Sequence, residues 1–167
     1  MKKILLISDT HSYLDPKLQK YINDADEVWH AGDIGNIDVC NQIEKCKPLK
    51  AVFGNIDSSE ATTKYPENLI FNCENIKVLI THIGGYPGKY PAKIKKLIKE
   101  HQPKLFICGH SHILKIMFDK ENNLLHVNPG ACGSHGFHVI KTAVRFEIEK
   151  EEIQNLAIIE LGNRSAL

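Results

Sequence analysis

The chain has 167 residues, with 21 Lys and Arg against 20 Asp and Glu, and a formal net charge of +1. That length suits one domain spanning 1–167 with a real core. The even charge balance leaves no basic field for an extended nucleic acid, so an anionic ligand would need a local positive centre such as a metal ion. "MKKILLISD" has a basic start but too short an apolar run for a signal-peptide core, and nothing approaches a membrane span. The five cysteines (Cys40, Cys46, Cys73, Cys108, Cys132) are odd in number and form no CxxC pair. Free thiols in a reducing cytoplasm are the expectation. Nine histidines are the unusual component.

In chain order, short β-branched runs alternate with amphipathic stretches, the pattern of an α/β protein. "KILLIS" predicts a buried strand. "DPKLQKYINDAD" follows as a helix with Leu18, Tyr21 and Ile22 at helical spacing and Asp15-Pro16 as its start signal. "EVWHAGD" predicts a second strand, "DVCNQIEKC" a second helix, and "LKAVFGN" a third strand. A polar loop comes next. "NLIFNCENIKVLITH" then predicts a hairpin turning at Glu74-Asn75, "AKIKKLIKEHQ" a helix with Ile94, Leu97 and Ile98 on one face, and "PKLFICGH" another buried strand. Two further strand pairs turn at Glu121-Asn122-Asn123 and near Lys150-Glu151.

Five of these apolar strands end in residues that can hold a metal: Asp9-Thr10-His11, Gly32-Asp33, Gly54-Asn55, Thr81-His82 and Gly109-His110-Ser111-His112. Each alone has an ordinary explanation. Asp9 could cap a helix, Asp33 and Asn55 are common turn residues, and a lone His82 is more often a core or loop histidine. Repetition of the same placement five times is harder to explain that way. In a mostly parallel sheet the residues beyond the strands' carboxyl ends converge, so the spacing predicts one shared site. Gly32, Gly54 and Gly109 precede ligand-type residues, where close backbone approach is expected.

In order and spacing these five blocks resemble the calcineurin-like metallophosphoesterases, whose motifs are D-x-H, G-D, G-N-H-[DE], H and G-H-x-H. The short chain, Asn128-Pro129-Gly130 and the terminal strand pairs look like the small bacterial and archaeal phosphodiesterase branch. The resemblance implies a two-sheet β-sandwich flanked by helices. It also implies two divalent ions, manganese first, with iron, cobalt, nickel or zinc as alternatives. Asp9, His11, Asp33 and His112 would hold one ion; Asp33, Asn55, His82 and His110 would hold the other. Asp33, Asn55, His82 and His110 would thereby be catalytic, with a metal-bridging hydroxide attacking a small phosphoester in line. Two ions carrying +4 against two carboxylates leave +2, a surplus that attracts phosphate. Self-association as a dimer or tetramer is also expected of this branch.

One position departs from the pattern. The family commonly has histidine directly after the asparagine, to protonate the leaving group; here it is Ile56. Asp57, His135 and His138 are candidate substitutes, although a surface loop with incidental histidines is the simpler reading of "GACGSHGFH". His30 reads as a support for a ligand or as packing, and His101 and His126 as structural. The glycine-rich "IGGYPGKYP" predicts a rim loop offering Tyr86, Lys89 and Tyr90 to a substrate. The rival reading is a non-enzymatic scaffold, because a retromer subunit resembles this family yet serves in protein assembly. A metallo-β-lactamase-type hydrolase is disfavoured, because H-x-H-x-D-H is absent. Restoring the missing group tests the account of position 56. Ile56→His is expected to raise kcat for esters with poor leaving groups by up to about 10²-fold; an unchanged rate on a dialkyl phosphate would refute it.

Overall fold

In the computed structural model, which describes residues 1–164, the apolar runs pair into two five-stranded sheets. One has the order β10-β9-β1-β2-β3 and the other β4-β5-β6-β8-β7. The first contains β1 (Lys2–Ile7), β2 (Glu27–His30), β3 (Leu49–Ala51), β9 (Ile140–Glu149) and β10 (Glu152–Asn163). The second contains β4 (Asn68–Cys73), β5 (Ile76–Thr81), β6 (Leu105–Ile107), β7 (Leu114–Asp119) and β8 (Leu124–Pro129). The two-sheet architecture is the one expected; both sheets are mixed rather than mostly parallel. β1, β2 and β3 run parallel, as do β5, β6 and β8, and antiparallel strands complete each sheet. The parallel trios still bring the ligand-bearing strand ends to one side, since a parallel strand needs a crossover to return.

Helices α1 (Gln19–Asp24), α2 (Asp38–Glu44), α3 (Ser59–Lys64) and α4 (Ala92–His101) make or flank those connections. Asp15 caps a 3₁₀ turn ahead of α1, its carboxylate accepting from the Lys17 amide at 2.9 Å. The sequence reading placed a polar loop where α3 stands. This short helix buries only Ala61, and its end is tied to α2 by Lys64–Glu44 at 2.6 Å and Tyr65 Oη donating to Glu44 at 2.9 Å. Tertiary contacts override a weak local signal there. The hairpin turns fall where expected, with Glu74, Asn123 and Lys150 in left-handed backbone conformations.

Ile4, Leu6, Trp29, Val78, Ile80, Leu105, Ile107 and Val127 form the core between the sheets. Trp29 is fully buried, edge-on to Phe71 of the opposite sheet at 5.0 Å, and its Nε1 donates to Glu27 at 3.0 Å. That bond satisfies the indole's one donor. A second core lies beneath α1 and α2, and a third beneath α4, where Ile94 and Ile98 pack on Leu79 and Phe106. β10 pairs with β9 through two register irregularities, at Gln154/Ala157 and Glu160/Gly162. Among the described residues no helix is long and apolar enough to cross a membrane.

Two histidines are sealed in this framework. His30 and His126 are both fully buried, and burial pushes each down to about 4. In the unfolded chain they titrate near 6.5, so between these values the unfolded state binds protons that the native state does not. Stability is therefore complete above about pH 6.5 and is lost as pH falls toward 4. The slope is up to about 1.4 kcal/mol per pH unit for each histidine. Denaturation measured from pH 7 to 4 should show this decline, and His126→Phe should make it shallower. A variant with the wild-type slope would contradict the assignment.

Candidate metal centre

The ligand-type residues lie at the carboxyl ends of β1, β2, β5 and β6 and in the turn after β3. One ligand atom from each of Asp9, His11, Asp33 and His112 lies within 4.8 Å of the others, and the same holds for Asp33, His82 and His110. Asp33 belongs to both groups. Asn55 stands beside the second, its Oδ1 2.9 Å from His110 Nδ1. The structure thus collects all seven residues singled out from sequence.

Local backbone geometry explains how they converge. Asp9, His11, Asp33, His110 and His112 all have positive φ, between 44° and 69°. Left-handed conformations cost non-glycine residues roughly 1–2 kcal/mol each. Such strain persists only where the surroundings over-determine it, and it concentrates at functional sites. Here the surroundings are hydrogen bonds between loops. Asp9 N donates to Gly32 O at 3.0 Å, His11 N to Asp33 O at 3.1 Å, and Gly109 N to His82 O at 2.9 Å. Asn128 Nδ2 bridges Gly109 O at 2.9 Å and Ser111 Oγ at 3.1 Å, bracing the G-H-x-H turn. Two glycines permit the close approach. A Cβ on Gly54 would fall 2.1 Å from Asp33 Oδ1, and one on Gly109 would fall 2.1 Å from Ser8 Oγ.

Asp9 is held by one oxygen and left open at the other. Its Oδ2 accepts from Ser8 Oγ at 2.6 Å and the His110 amide at 3.2 Å. Its Oδ1 is buried without a hydrogen-bond partner, as are His11 Nε2 and His82 Nε2. His112 Nε2 is 3.2 Å from that open oxygen, and His82 Nε2 is 3.1 Å from Asp33 Oδ1. Burial alone would lower the His82 pKa and raise that of Asp33, yet the neighbouring groups reverse both: His82 is raised and Asp33 is lowered. The Asp33 and Asp9 carboxylates act on His82, and His82, the Ile56 amide and His11 act on Asp33. Burial dominates at His11 and lowers its pKa. One orphaned carboxylate oxygen and two orphaned imidazole nitrogens turned into a buried site fit divalent cations, which would satisfy them.

Several supporting residues were obscure in the sequence. His82 Nδ1 is 2.7 Å from Ala31 O, which fixes that nitrogen as the donor and turns Nε2 inward. His138 Nε2 donates to Gly133 O at 2.9 Å, so its Nδ1 can accept from His112 Nδ1 at 3.3 Å. Burial lowers the His138 pKa and favours this neutral form. His138 is therefore no incidental loop histidine. The spacing from His112 gave no signal, because the two meet only through the long β8–β9 connection. His135 is exposed, its ring 4.8 Å from that of His11. His30 links the first two motif loops: its Nε2 is 2.9 Å from Thr10 Oγ1 and its Nδ1 accepts from Gly32 N at 3.1 Å.

Asp57 does not replace the missing histidine. Its two oxygens accept from the Gly35 and Gly54 amides at 2.8 and 2.7 Å, clamping the second motif loop to the third. Ile56 is half-exposed, and its amide donates to Asp33 at 3.2 Å. The rim-loop expectation also changes. Tyr90 is buried against Phe106 with its hydroxyl 3.3 Å from His126 Nδ1, so it faces the outer core. Ile83, rather than the tyrosine, borders the cleft next to Asn55 and His82.

Comparison with known proteins gives a consistent result. A probable metallophosphoesterase of Methanothermobacter thermautotrophicus is 26% identical over 131 residues, covering 75% of this chain and 74% of its own. A predicted phosphoesterase from Streptococcus pneumoniae TIGR4 superposes with a TM-score of 0.69 at 20% identity, covering 95% of this chain and 97% of that one. Vps29 from Entamoeba histolytica, crystallised with Zn²⁺, superposes with a TM-score of 0.72 at 15% identity, covering 95% and 98%. Both structural likenesses speak to the fold. Residues 1–151 match the model of the calcineurin-like phosphoesterase superfamily domain, so the chain belongs to that superfamily, a family of metal-dependent enzymes acting on phosphoesters.

Proposed function

We propose that the protein is a dinuclear metal-dependent phosphodiesterase whose ligands are Asp9, His11, Asp33, Asn55, His82, His110 and His112. The observation that carries this reading is the shared Asp33, which lies in both ligand groups. A carboxylate with one oxygen for each group can bridge two ions without adding a third negative charge to the site. Manganese or another divalent ion bound there would supply Lewis acidity and a nucleophile from water at neutral pH.

The chain's own residues do the rest. Ser8 and the His110 amide keep one oxygen of Asp9 occupied, so the other is presented to the site. Ala31 O and His138 hold the His82 and His112 rings with Nε2 inward. Asn55 and His110 are exposed while Asp9, Asp33 and His82 are buried, so a substrate would reach the centre from the Asn55–His110 side. The neutral side chain at Ile56 offers no proton to a leaving group, which favours esters that leave readily.

A scaffold role is the second reading. It is favoured by exposed apolar side chains at Ile113, Phe137 and Val139, next to His112 and His138 in the chain. The two readings part on turnover. Manganese-loaded protein should hydrolyse bis(4-nitrophenyl) phosphate, and Asp33→Asn should lose both bound metal and measurable activity. Metal-replete protein with no turnover of any activated diester would favour the scaffold. His138 is assigned a positioning role with its own test. His138→Leu should weaken metal affinity about 10–100-fold, with a smaller loss for His138→Asn. Equal affinities measured by calorimetry would remove that role.

A further inference from the structure

Beside the second ligand group lies a cleft of about 320 Å³ that the catalytic reading does not use. Its lining includes Phe53, Asn55, His82, Ile83, Pro91 and Ile94. It is continuous with the proposed metal centre, because Asn55 and His82 belong to both. Pro91 and Ile94 come from the start of α4, whose lower face is anchored in the core beneath the second sheet. That wall is rigid. Ile83 forms an opposite, half-exposed wall. Also in the lining, Lys93 and Glu67 are paired with each other.

From this arrangement we infer that the cleft receives one ester substituent of the substrate, and that this substituent is uncharged and compact, with an aromatic ring the best match. The inference rests on the phosphodiesterase reading and narrows its substrate class. Three features support it. The lining between the metal centre and the ion pair is Phe53, Ile83, Pro91 and Ile94, which gains by covering apolar surface. The cleft begins at two of the proposed metal ligands, Asn55 and His82, so a group attached to a phosphoryl centre held there can extend into it. The charged residues in the lining, Glu67 and Lys93, are paired with each other and contribute no net charge, so the cleft's attraction is chiefly apolar. A sheet of aliphatic carbons and a proline ring also suits a flat ring better than a branched polar head group.

Binding of simple phosphonates to the manganese-loaded full chain tests this without relying on turnover. Calorimetric titration should show phenylphosphonate binding about tenfold or more tighter than methylphosphonate. Ile83→Gln replaces the terminal carbons with a polar amide. It should abolish that preference while leaving methylphosphonate affinity and the melting temperature unchanged. Equal affinities in the wild type, or a preference surviving in Ile83→Gln, would overturn the cleft assignment. Hydrolysis of bis(4-nitrophenyl) phosphate by the same preparation separates the two claims. Turnover without phosphonate discrimination defeats only the cleft, whereas discrimination without turnover leaves a ring-binding cleft but defeats the phosphodiesterase reading and, with it, the claim that the occupant is an ester substituent.

Discussion

Two buried carboxylates at the ends of neighbouring parallel strands are the constraint on which the site depends. Asp9 and Asp33 sit where water cannot fully solvate them, and imidazole nitrogens lie within 3.1–3.5 Å of their oxygens. Positive charge must reside there for the arrangement to be tolerable. The Asp33 and Asp9 carboxylates accordingly raise the pKa of His82 above that of an ordinary histidine. A metal ion would take over the same electrostatic role and bind in competition with a proton on that ring. The left-handed turns, the Asp57 clamp and the glycines without room for a side chain all serve to hold these two carboxylates close together.

The division of labour between sheets and loops follows from that requirement. The cores beneath α1, α2 and α4 fix the strand ends chiefly by apolar packing. The loops beyond them are joined laterally by backbone hydrogen bonds, so each motif's geometry depends on its neighbours. His30 is the clearest example, binding the first motif through Thr10 and the second through Gly32. Such linkage makes the centre a cooperative unit, in which displacement of one loop carries the others with it.

The site was unusually legible in the sequence because its residues are tied to strand ends, and apolar strands are easily seen. Asp9, His11, Asp33, Asn55, His82, His110 and His112 could be picked out without coordinates. What could not be read were the residues acting across long separations in the chain. His138 supports His112 from 26 positions away, and Asp57 reaches back 22 positions to the Gly35 amide. Neither contact has a periodicity or spacing that would reveal it. Tyr90 was misplaced for the converse reason: a loop rich in glycine and proline suggested exposure, whereas Phe106 and His126 offered the ring a better apolar environment. The short helix α3 has no apolar periodicity to read, burying only Ala61, and its end is tied to Glu44 of α2.

The long strand β10 carries a different consequence. It is the free margin of the first sheet, with backbone groups along one side available for pairing. A smooth margin of twelve residues would invite another extended chain to add on and begin a fibre. The two register breaks interrupt that template, and exposed Glu152 and Glu160 place negative charge along it. The irregularities in β10 thus make that edge a poor template for the strand addition that begins a fibre.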